Sequence, residues 1–243
     1  MKKIPATVVI TTANNPPAGI PYLAMTSTAE RRMAAKAALF FWASQGIRNI
    51  VVADATANYL LSQAELDEVS LLGASIEQIS YSQNVQDVIS KGKGYAEGGL
   101  LKFAVENSRI LENEERFFKS TGKTFVRNFP AIHDLVVQAG IDTVFWRHLG
   151  DGSSMKPWAD CRFYFTSKLF AVESLVPAYL QSDDSTAACE YFIFQLLNRN
   201  FLNANALRPL ISGFEGGTGE QYFDGSLGTL DFSTPCWVRK KGS

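Results

Sequence analysis

A regular alternation of strand-like and helix-like segments in the N-terminal third constrains the fold more than any other feature of the sequence. Apolar runs at 7–12 and 47–54 and an alternating segment at 75–81 are typical of strands. Between them lie helical segments at 31–45 and 62–73, and a Ser-x-x-Glu capping-box pattern marks the start of each. Continuous apolar strands separated by helices predict a parallel sheet that is covered by helices on both faces.

The remaining two thirds of the sequence extend this pattern without a recognisable domain boundary. Further elements are expected in this order: a basic glycine-rich loop at 91–98 opening a helix that runs to about Ser108, a strand pair at 116–126, a helix at 131–138, a strand at 142–147, a polar loop at 150–160, a strand at 161–166, and helices at 168–179 and 185–199. The last forty residues are rich in glycine and predict irregular structure wrapped over the sheet. We therefore expect a Rossmann-related α/β fold with a mostly parallel sheet, in a single domain spanning 1–243.

Composition narrows the classes of function. The 243 residues are 46% hydrophobic and 19% charged with a net charge of −1, which supplies a large apolar core and no basic field for nucleic acid. No apolar run reaches the roughly 18 residues of a membrane span, and the N-terminus lacks the pattern of a secretory signal. We expect a cytoplasmic protein without a nucleic-acid partner.

Residue types that bind metals are few and scattered in the sequence. The sequence contains three cysteines and two histidines: Cys161, Cys189, Cys236, His133 and His148. The cysteines form no Cys-x-x-Cys motif and the histidines no zinc motif, which indicates incidental thiols and surface or packing histidines. The acidic pair at 183–184 precedes a helix, where aspartate favours the helix dipole. We expect no metal site and no bound cofactor.

In an open α/β sheet, ligands bind beyond the carboxyl ends of the strands, and three segments occupy such positions. Thr11, Thr12 and Asn14 end the first strand with short donors and acceptors suited to a nucleobase edge, although such residues are also ordinary in turns. Asp54 ends the second strand, where its carboxylate either accepts hydrogen bonds from a ribose or nucleobase N–H or simply opens the next loop. The third segment follows Phe118.

The glycine-rich segment 91–98 stands immediately before a helix. Gly92 and Gly94 allow close approach of the backbone, Lys91 and Lys93 supply positive charge, and the helix N-terminus presents free N–H groups. Together these features are typical of a phosphate site. The segment lacks the Gly-Lys-Ser/Thr ending of a Walker A motif, and a solvated flexible turn is the alternative interpretation.

The segment 117–128 combines flanking aromatic residues with a polar, basic centre, so that a buried strand leads into a tight turn. Its candidate ligand-binding residues are Lys119, Thr121, Gly122, Lys123 and Arg127. The three cations could neutralise a diphosphate without a metal ion. The alternative is a plain hairpin whose basic side chains are exposed.

Two further features stand out towards the C-terminus. Glu190 lies in a strongly apolar helix, so its carboxyl group is either at an exposed edge or buried, and burial would raise its pKa as a general base requires. The segment 237–241 combines tryptophan with basic residues, which is typical of contact with anionic lipid headgroups or of an ordinary solvated end.

These segments resemble the GT-A-type glycosyltransferases, in particular the small bacterial enzymes of capsule and lipopolysaccharide assembly. The resemblance covers about 6–200, and its motifs are three stretches, the last similar to a Lys-x-Thr-Gly-Arg-type signature: 93–98, 106–108 and 118–123. It implies a GT-A-like fold with a nucleotide-binding part at about 6–128 and an acceptor and catalytic part at about 129–243. The sequence departs from the family in having no Asp-x-Asp after Phe118, so basic side chains must replace the charge of the usual divalent metal.

By position, the resemblance implies that Thr11 and Asp54 hold the nucleoside and that the segment ending at Glu97 lies beside the donor. Residues 120–123 occupy the place of the Asp-x-Asp motif, and Glu190 matches the base of inverting members. The implied function is metal-independent transfer of a sugar from a nucleotide-sugar donor to a glycan or lipid-linked acceptor, in the cytoplasm at the inner face of the membrane. The alternatives are a nucleotidyl- or phosphotransferase that uses the same loops and a non-catalytic nucleotide-binding protein.

Overall fold

The computed structural model describes residues 3–20, 23–149, 155–214, 221–223 and 233–241. The strands are β1 (Ile4–Thr12), β2 (Ile47–Asp54), β3 (Ser75–Ser80), β4 (Arg116–Thr121), β5 (Thr124–Val126), β6 (Ile141–Leu149), β7 (Met155–Ser167), β8 (Leu202–Leu207), β9 (Ile211–Phe214), β10 (Gln221–Phe223) and β11 (Ser233–Lys240). The helices are α1 (Thr28–Ser44), α2 (Gln63–Ser70), α3 (Val85–Lys91), α4 (Lys93–Asn107), α5 (Arg109–Glu112), α6 (Phe129–Gln138), α7 (Lys168–Phe170), α8 (Val176–Leu180) and α9 (Cys189–Asn200). A π-helical turn, Ala171–Leu175, joins α7 to α8.

Eight of these strands form one sheet in the order β3-β2-β1-β4-β7-β6-β11-β8. The first four are parallel, with Val8 of β1 aligned with Ile50 of β2 and with Phe118 of β4. The other four add in antiparallel orientation. The α/β fold class and the parallel sheet of the N-terminal third are confirmed, and the far half of the sheet is antiparallel.

Helices cover both faces of this sheet, as the sequence predicts. On one face, Trp42 of α1 and Ile132 of α6 are fully buried in the same apolar cluster as Phe118 of β4. On the other face, Leu101 of α4 and Tyr179 of α8 belong to a second buried cluster. Each large apolar side chain buried in this way stabilises the fold by about 1.5–3 kcal/mol.

Helix boundaries follow local hydrogen bonds. The Ser62 side chain accepts from the backbone N–H of Glu65 while the Glu65 carboxylate accepts from the Ser62 backbone N–H, so the predicted capping box at α2 is complete. The last long helix, α9, begins at Cys189, later than expected. Ser185 instead lies in a turn, where its backbone N–H donates to the Asp183 carboxylate at 2.9 Å.

The glycine-rich segment 91–98 is not a loop, and that prediction was wrong. Gly92 alone, with a φ of 89°, separates α3 from α4. Gly94 and Gly98 lie inside α4, where they allow close helix packing: a Cβ on Gly98 would lie 2.4 Å from the Cβ of Tyr179. Small residues are therefore required at these positions because α4 packs closely against other helices. The local sequence does not reveal this packing.

Replacing Gly98 with Ala is expected to lower the free energy of unfolding by about 1–3 kcal/mol, because the new methyl group overlaps Tyr179. Gly99, the next residue of α4, is the matched control, since a Cβ there meets no atom closer than 3.7 Å. Gly99→Ala should leave stability unchanged or raise it by about 0.5–1 kcal/mol. Urea unfolding of both variants measures the difference; equal stability of the two would contradict the packing account.

The last forty residues are not irregular where the structure describes them. β11 is an inner strand that pairs with both β6 and β8, and Trp237 within it is fully buried. Arg239 forms an ion pair with Asp142 of β6 at 2.8 Å. The segment 237–241 is therefore not a solvated tail, and its tryptophan is not available to a lipid surface. Among the described residues, no helix combines the length and hydrophobicity needed to span a bilayer.

The strand pair at 116–126 is not a hairpin. β4 lies between β1 and β7 in the large sheet, whereas β5 pairs with β9 in a separate sheet of order β10-β9-β5. The polar loop expected at 150–160 is also shorter, because β7 begins at Met155; residues 150–154 lie outside the described residues. Since β7 runs antiparallel to β4, its first half reaches the edge where β1, β2 and β4 end.

Candidate functional site

A cavity of about 930 Å³ lies at the carboxyl-terminal edge of the parallel strands. Thr11 and Thr12 line it from the end of β1, Thr56 from the turn after β2, and Thr121 from the end of β4. This is the position at which open α/β sheets bind ligands. Its volume is within the usual range for small-molecule sites.

The structure brings about half of the predicted site residues to this cavity. Seven of them line it: Thr11, Thr12, Gly94, Glu97, Thr121, Lys123 and Glu190. Six others, all described, are outside its lining: Asn14, Asp54, Lys91, Lys119, Gly122 and Arg127. Lys93, from the predicted phosphate segment 91–98, also lines it, together with four charged residues that were not predicted for the site: Arg31, Asp160, Arg162 and Asp184.

Asp54 is buried behind the cavity wall and holds two strand-end loops together. Its carboxylate accepts from the Thr12 hydroxyl at 2.7 Å and from the backbone N–H of Asn14 at 2.9 Å. It also accepts from the backbone N–H of Thr56 at 2.7 Å and from the Thr56 hydroxyl. A carboxylate with this many donors fixes the loops after β1 and β2 relative to each other, and so gives the cavity wall a defined shape.

Lys119 is fully buried and forms an ion pair with Glu97. Its ammonium group also donates to the backbone carbonyl of Cys161 at 2.7 Å and to the Thr121 hydroxyl at 3.2 Å. The Glu97 carboxylate in turn accepts from the Thr11 hydroxyl at 2.9 Å. Lys119 therefore balances the charge of Glu97 from behind the wall, and Glu97, not Lys119, reaches the cavity.

Lys123 is the buried cation of the cavity wall, with 9% of its surface exposed. Burial, together with the positive charges of Arg31 and Lys93, lowers its pKa to about 8, although Glu97 acts in the opposite direction. Arg31 is held by its own hydrogen bonds, with Nε donating to the Ala13 carbonyl at 2.6 Å. Three cations thus act on one region of the cavity, an arrangement that favours an anionic ligand.

Gly122 and Arg127 make backbone hydrogen bonds that connect neighbouring segments of the chain. The backbone N–H of Gly122 donates to the Thr11 carbonyl at 2.8 Å, and a Cβ on Gly122 would lie 2.3 Å from Thr12 Cγ2. Only glycine allows the turn after β4 to approach β1 so closely. The backbone N–H of Arg127 donates to the Leu210 carbonyl, which ties the end of β5 to the segment before β9.

Glu190 lies in the first turn of α9 beside two thiols. Burial raises the pKa of its carboxyl group, and the Cys189 thiol donates to it at 3.3 Å. The sulfur atoms of Cys161 and Cys189 and a carboxylate oxygen of Glu190 all lie within 4.8 Å of one another. Cys161 and Cys189 are far apart in sequence and meet because β7 packs against α9, whereas Cys236 lies in β11.

The remaining acids of the cavity already have partners. Asp160 forms a two-pronged ion pair with Arg162, with distances of 2.9 and 2.6 Å. Asp184 accepts from the backbone N–H of Lys93 at 2.8 Å, so it caps α4 and not the helix that follows it in sequence. His133 is buried in α6 near Phe118, as expected of a packing histidine, and the side chain of His148 lies outside the described residues.

No family model and no curated protein matches this sequence. Among solved structures, the chain is similar to the glycosyltransferase GlyE of Streptococcus pneumoniae TIGR4, at 8% identity and a TM-score of 0.49, over 80% of this chain and 43% of that one. It is also similar to a UDP-glucose pyrophosphorylase complexed with UDP-glucose, at 8% identity and a TM-score of 0.42, over 90% and 93% of the two chains. A putative glucose-1-phosphate thymidylyltransferase from Bacillus anthracis matches at 9% identity and a TM-score of 0.42, over 86% and 89%. This chain thus spans less than half the length of GlyE, and similarities at this level assign no chemistry to its residues.

Proposed function

We propose that this protein transfers a sugar from a nucleotide-sugar donor to an acceptor hydroxyl and that it binds the donor phosphates without a metal ion. The observation that carries the proposal is the set of three cations, Arg31, Lys93 and Lys123, at the strand-end cavity. Burying Lys123 beside two like charges costs free energy in the empty protein, and an anionic ligand offsets that cost. A diphosphate supplies the matching charge.

The nucleoside end of the donor fits the part of the cavity next to β1 and β2. Thr12 and Thr56 present hydroxyl groups there, and both are positioned by Asp54. Pro16 and Leu23 add apolar surface on which a base can rest. In this proposal Asp54 acts on the nucleoside through the loops that it holds. The part of the site that binds the nucleotide is then formed by elements within about 6–128.

Glu190 is the proposed general base, contributed by the half at about 129–243. Its carboxylate removes the proton of the acceptor hydroxyl as the acceptor oxygen forms a bond to the anomeric carbon. The bond from that carbon to the phosphate oxygen breaks, and its electron pair leaves with the phosphate. Lys123 and the other cations stabilise the charge that develops there. Attack opposite the leaving group inverts the anomeric centre. A glycan or a lipid-linked glycan is the proposed acceptor.

The transfer is tested by incubating the protein with nucleotide sugars and candidate acceptors and identifying the products by mass spectrometry. The proposal requires a glycosylated acceptor together with a free nucleoside mono- or diphosphate. Release of a sugar phosphate together with a nucleotidylated acceptor would instead assign nucleotidyl transfer. Nucleotide binding without any conversion of donor would assign a non-catalytic role.

Nucleoside diphosphate affinity is expected to fall about tenfold between pH 7 and pH 9. Lys123 has a pKa of about 8 in the free protein, so it is charged and ready to bind below that pH and largely neutral at pH 9. The ligand adds little pH dependence of its own, since its last phosphate ionisation lies near pH 6. Titration calorimetry at several pH values measures the profile. Lys123→Arg is the matched control, because arginine stays charged throughout, and its profile should be flat; a flat profile in the wild type would contradict the assignment.

A further inference from the structure

The Cys161, Cys189 and Glu190 side chains form a second chemical feature of the cavity that sugar transfer does not use. Cys161 lies on β7, and Cys189 and Glu190 open α9. Both cysteines are buried to about 95%, and all three residues line the cavity. We propose that this cluster is a binding site for a thiophilic divalent cation, with Zn²⁺ as the preferred ion.

The spacing of the donor atoms fits such an ion. Two sulfur atoms and one carboxylate oxygen lie within 4.8 Å of one another. Zinc bonds of about 2.3 Å to sulfur and about 2.0 Å to oxygen place tetrahedral ligand atoms roughly 3.5–3.8 Å apart. Small side-chain rotations therefore close the cluster around one ion, with the two thiol protons released to solvent.

The cluster is held in place on both sides. A Cβ on Gly94 of α4 would lie 2.8 Å from Cys189 Cβ, so α4 packs directly against the start of α9. On the other side, the Lys119 ammonium donates to the Cys161 carbonyl at 2.7 Å, which anchors that part of β7. Support of this kind fixes the orientation of the side chains that bind the metal, and so favours binding of the ion.

The donor set selects the class of ion. Thiolates prefer zinc and other soft cations, whereas magnesium and calcium prefer oxygen ligands. Three protein ligands facing a cavity leave the fourth tetrahedral position for water or another small ligand, which is the pattern of an open site. If sugar transfer proceeds as proposed, bound zinc occupies the Glu190 carboxylate and blocks it as a base, so zinc inhibits the reaction; this consequence rests on the proposed function.

Binding is tested with Co²⁺ as a spectroscopic probe on the full chain, reduced with a phosphine that does not supply thiols. Cobalt should give a thiolate-to-metal charge-transfer band that saturates at one ion per chain, and Zn²⁺ should abolish the band whereas excess Mg²⁺ should not. Cys161→Ser and Cys189→Ser should each lose most of the band. Cys236→Ser is the matched control, a buried cysteine in β11 outside the cavity lining, and should keep it.

Circular dichroism checks that the serine variants are folded, and Glu190→Gln provides an independent variant that should weaken cobalt binding while keeping a thiolate band. Absence of a band in the wild type, or an undiminished band in the folded Cys161→Ser/Cys189→Ser double variant, would overturn the proposal. Because the spectrum needs no sugar donor, its result stands whether or not sugar transfer is detected. Zinc inhibition is measured separately, and only if transfer occurs.

Discussion

Replacing Glu190 with Gln is expected to lower kcat by about 10²–10⁴-fold, the contribution of a positioned general base. The amide keeps the size of the side chain and its place in the first turn of α9, so donor affinity should change by less than about twofold. The rate is measured as nucleotide released from the donor, with affinity measured separately by calorimetry.

The matched control for this variant is Glu173→Gln, because Glu173 is exposed in the π-helical turn and is not part of the cavity lining. It should keep full activity. Full turnover by Glu190→Gln would remove Glu190 from the mechanism while leaving the anion site intact. Equal losses of kcat and of donor affinity would instead show that the carboxylate has a structural role.

Replacing Lys123 with Met is expected to stabilise the empty protein and to weaken its binding of nucleoside diphosphate. The pKa of Lys123 falls from 10.5 to about 8 in the folded protein, so its charged form is unfavourable there by about 3 kcal/mol. Methionine has a similar length and no charge, which removes this cost. Loss of one charged hydrogen bond to phosphate should weaken binding by about 10–100-fold.

The stability gained by Lys123→Met depends on pH, because the pKa of Lys123 is lower in the folded protein than in the unfolded chain. Below pH 8, Lys123 is protonated in both the folded and unfolded states, so the full cost of the buried charge is present. Between about pH 8 and pH 10.5 the folded protein releases this proton before the unfolded chain does, and the cost disappears. The gain from Lys123→Met should therefore be largest below pH 8 and shrink as the pH rises towards 10.5.

Chemical unfolding at a series of pH values measures this gain. Lys102→Met is the matched control, because Lys102 of α4 is half exposed and its only described ion pair, with Glu106 at 3.9 Å, is a surface pair of small effect. It should change neither stability nor nucleotide affinity appreciably. A Lys123→Met variant that is less stable than the wild type at pH 7 would contradict the unfavourable burial of this charge.

The parallel half of the fold could be predicted because its signals are local. The apolar strands at 7–12 and 47–54 and the Ser62 capping box each depend on residues close in sequence. β11 could not be predicted in the same way, since its partners β6 and β8 supply the pairing and its short sequence includes Pro235. The sequence around Gly94 predicts a loop, and this prediction is wrong because the packing of α4 against the start of α9 is not visible in a local pattern.

The candidate site was predictable in position and less so in detail. The rule that ligands bind at strand ends predicts a position for Thr11, Thr12 and Lys123, and all three line the cavity. Sequence cannot show that Lys119 turns behind the wall to pair with Glu97, since the two residues meet only through the packing of α4 on the sheet. Arg31 could not be predicted for the same reason: it lies near the start of α1, and only the tertiary fold directs it to the cavity.

The central claim is that side-chain cations bind the donor phosphates without a metal ion, and calorimetry in the presence of EDTA tests it most directly. CMP, UDP and GDP are compared with their parent nucleosides, on the wild type and on Lys123→Met. The account predicts that at least one nucleotide binds the wild type at least about tenfold more tightly than its nucleoside does, and that Lys123→Met removes this difference. Nucleotide binding that appears only after Mg²⁺ or Mn²⁺ is added, or that is no tighter than nucleoside binding, would contradict it.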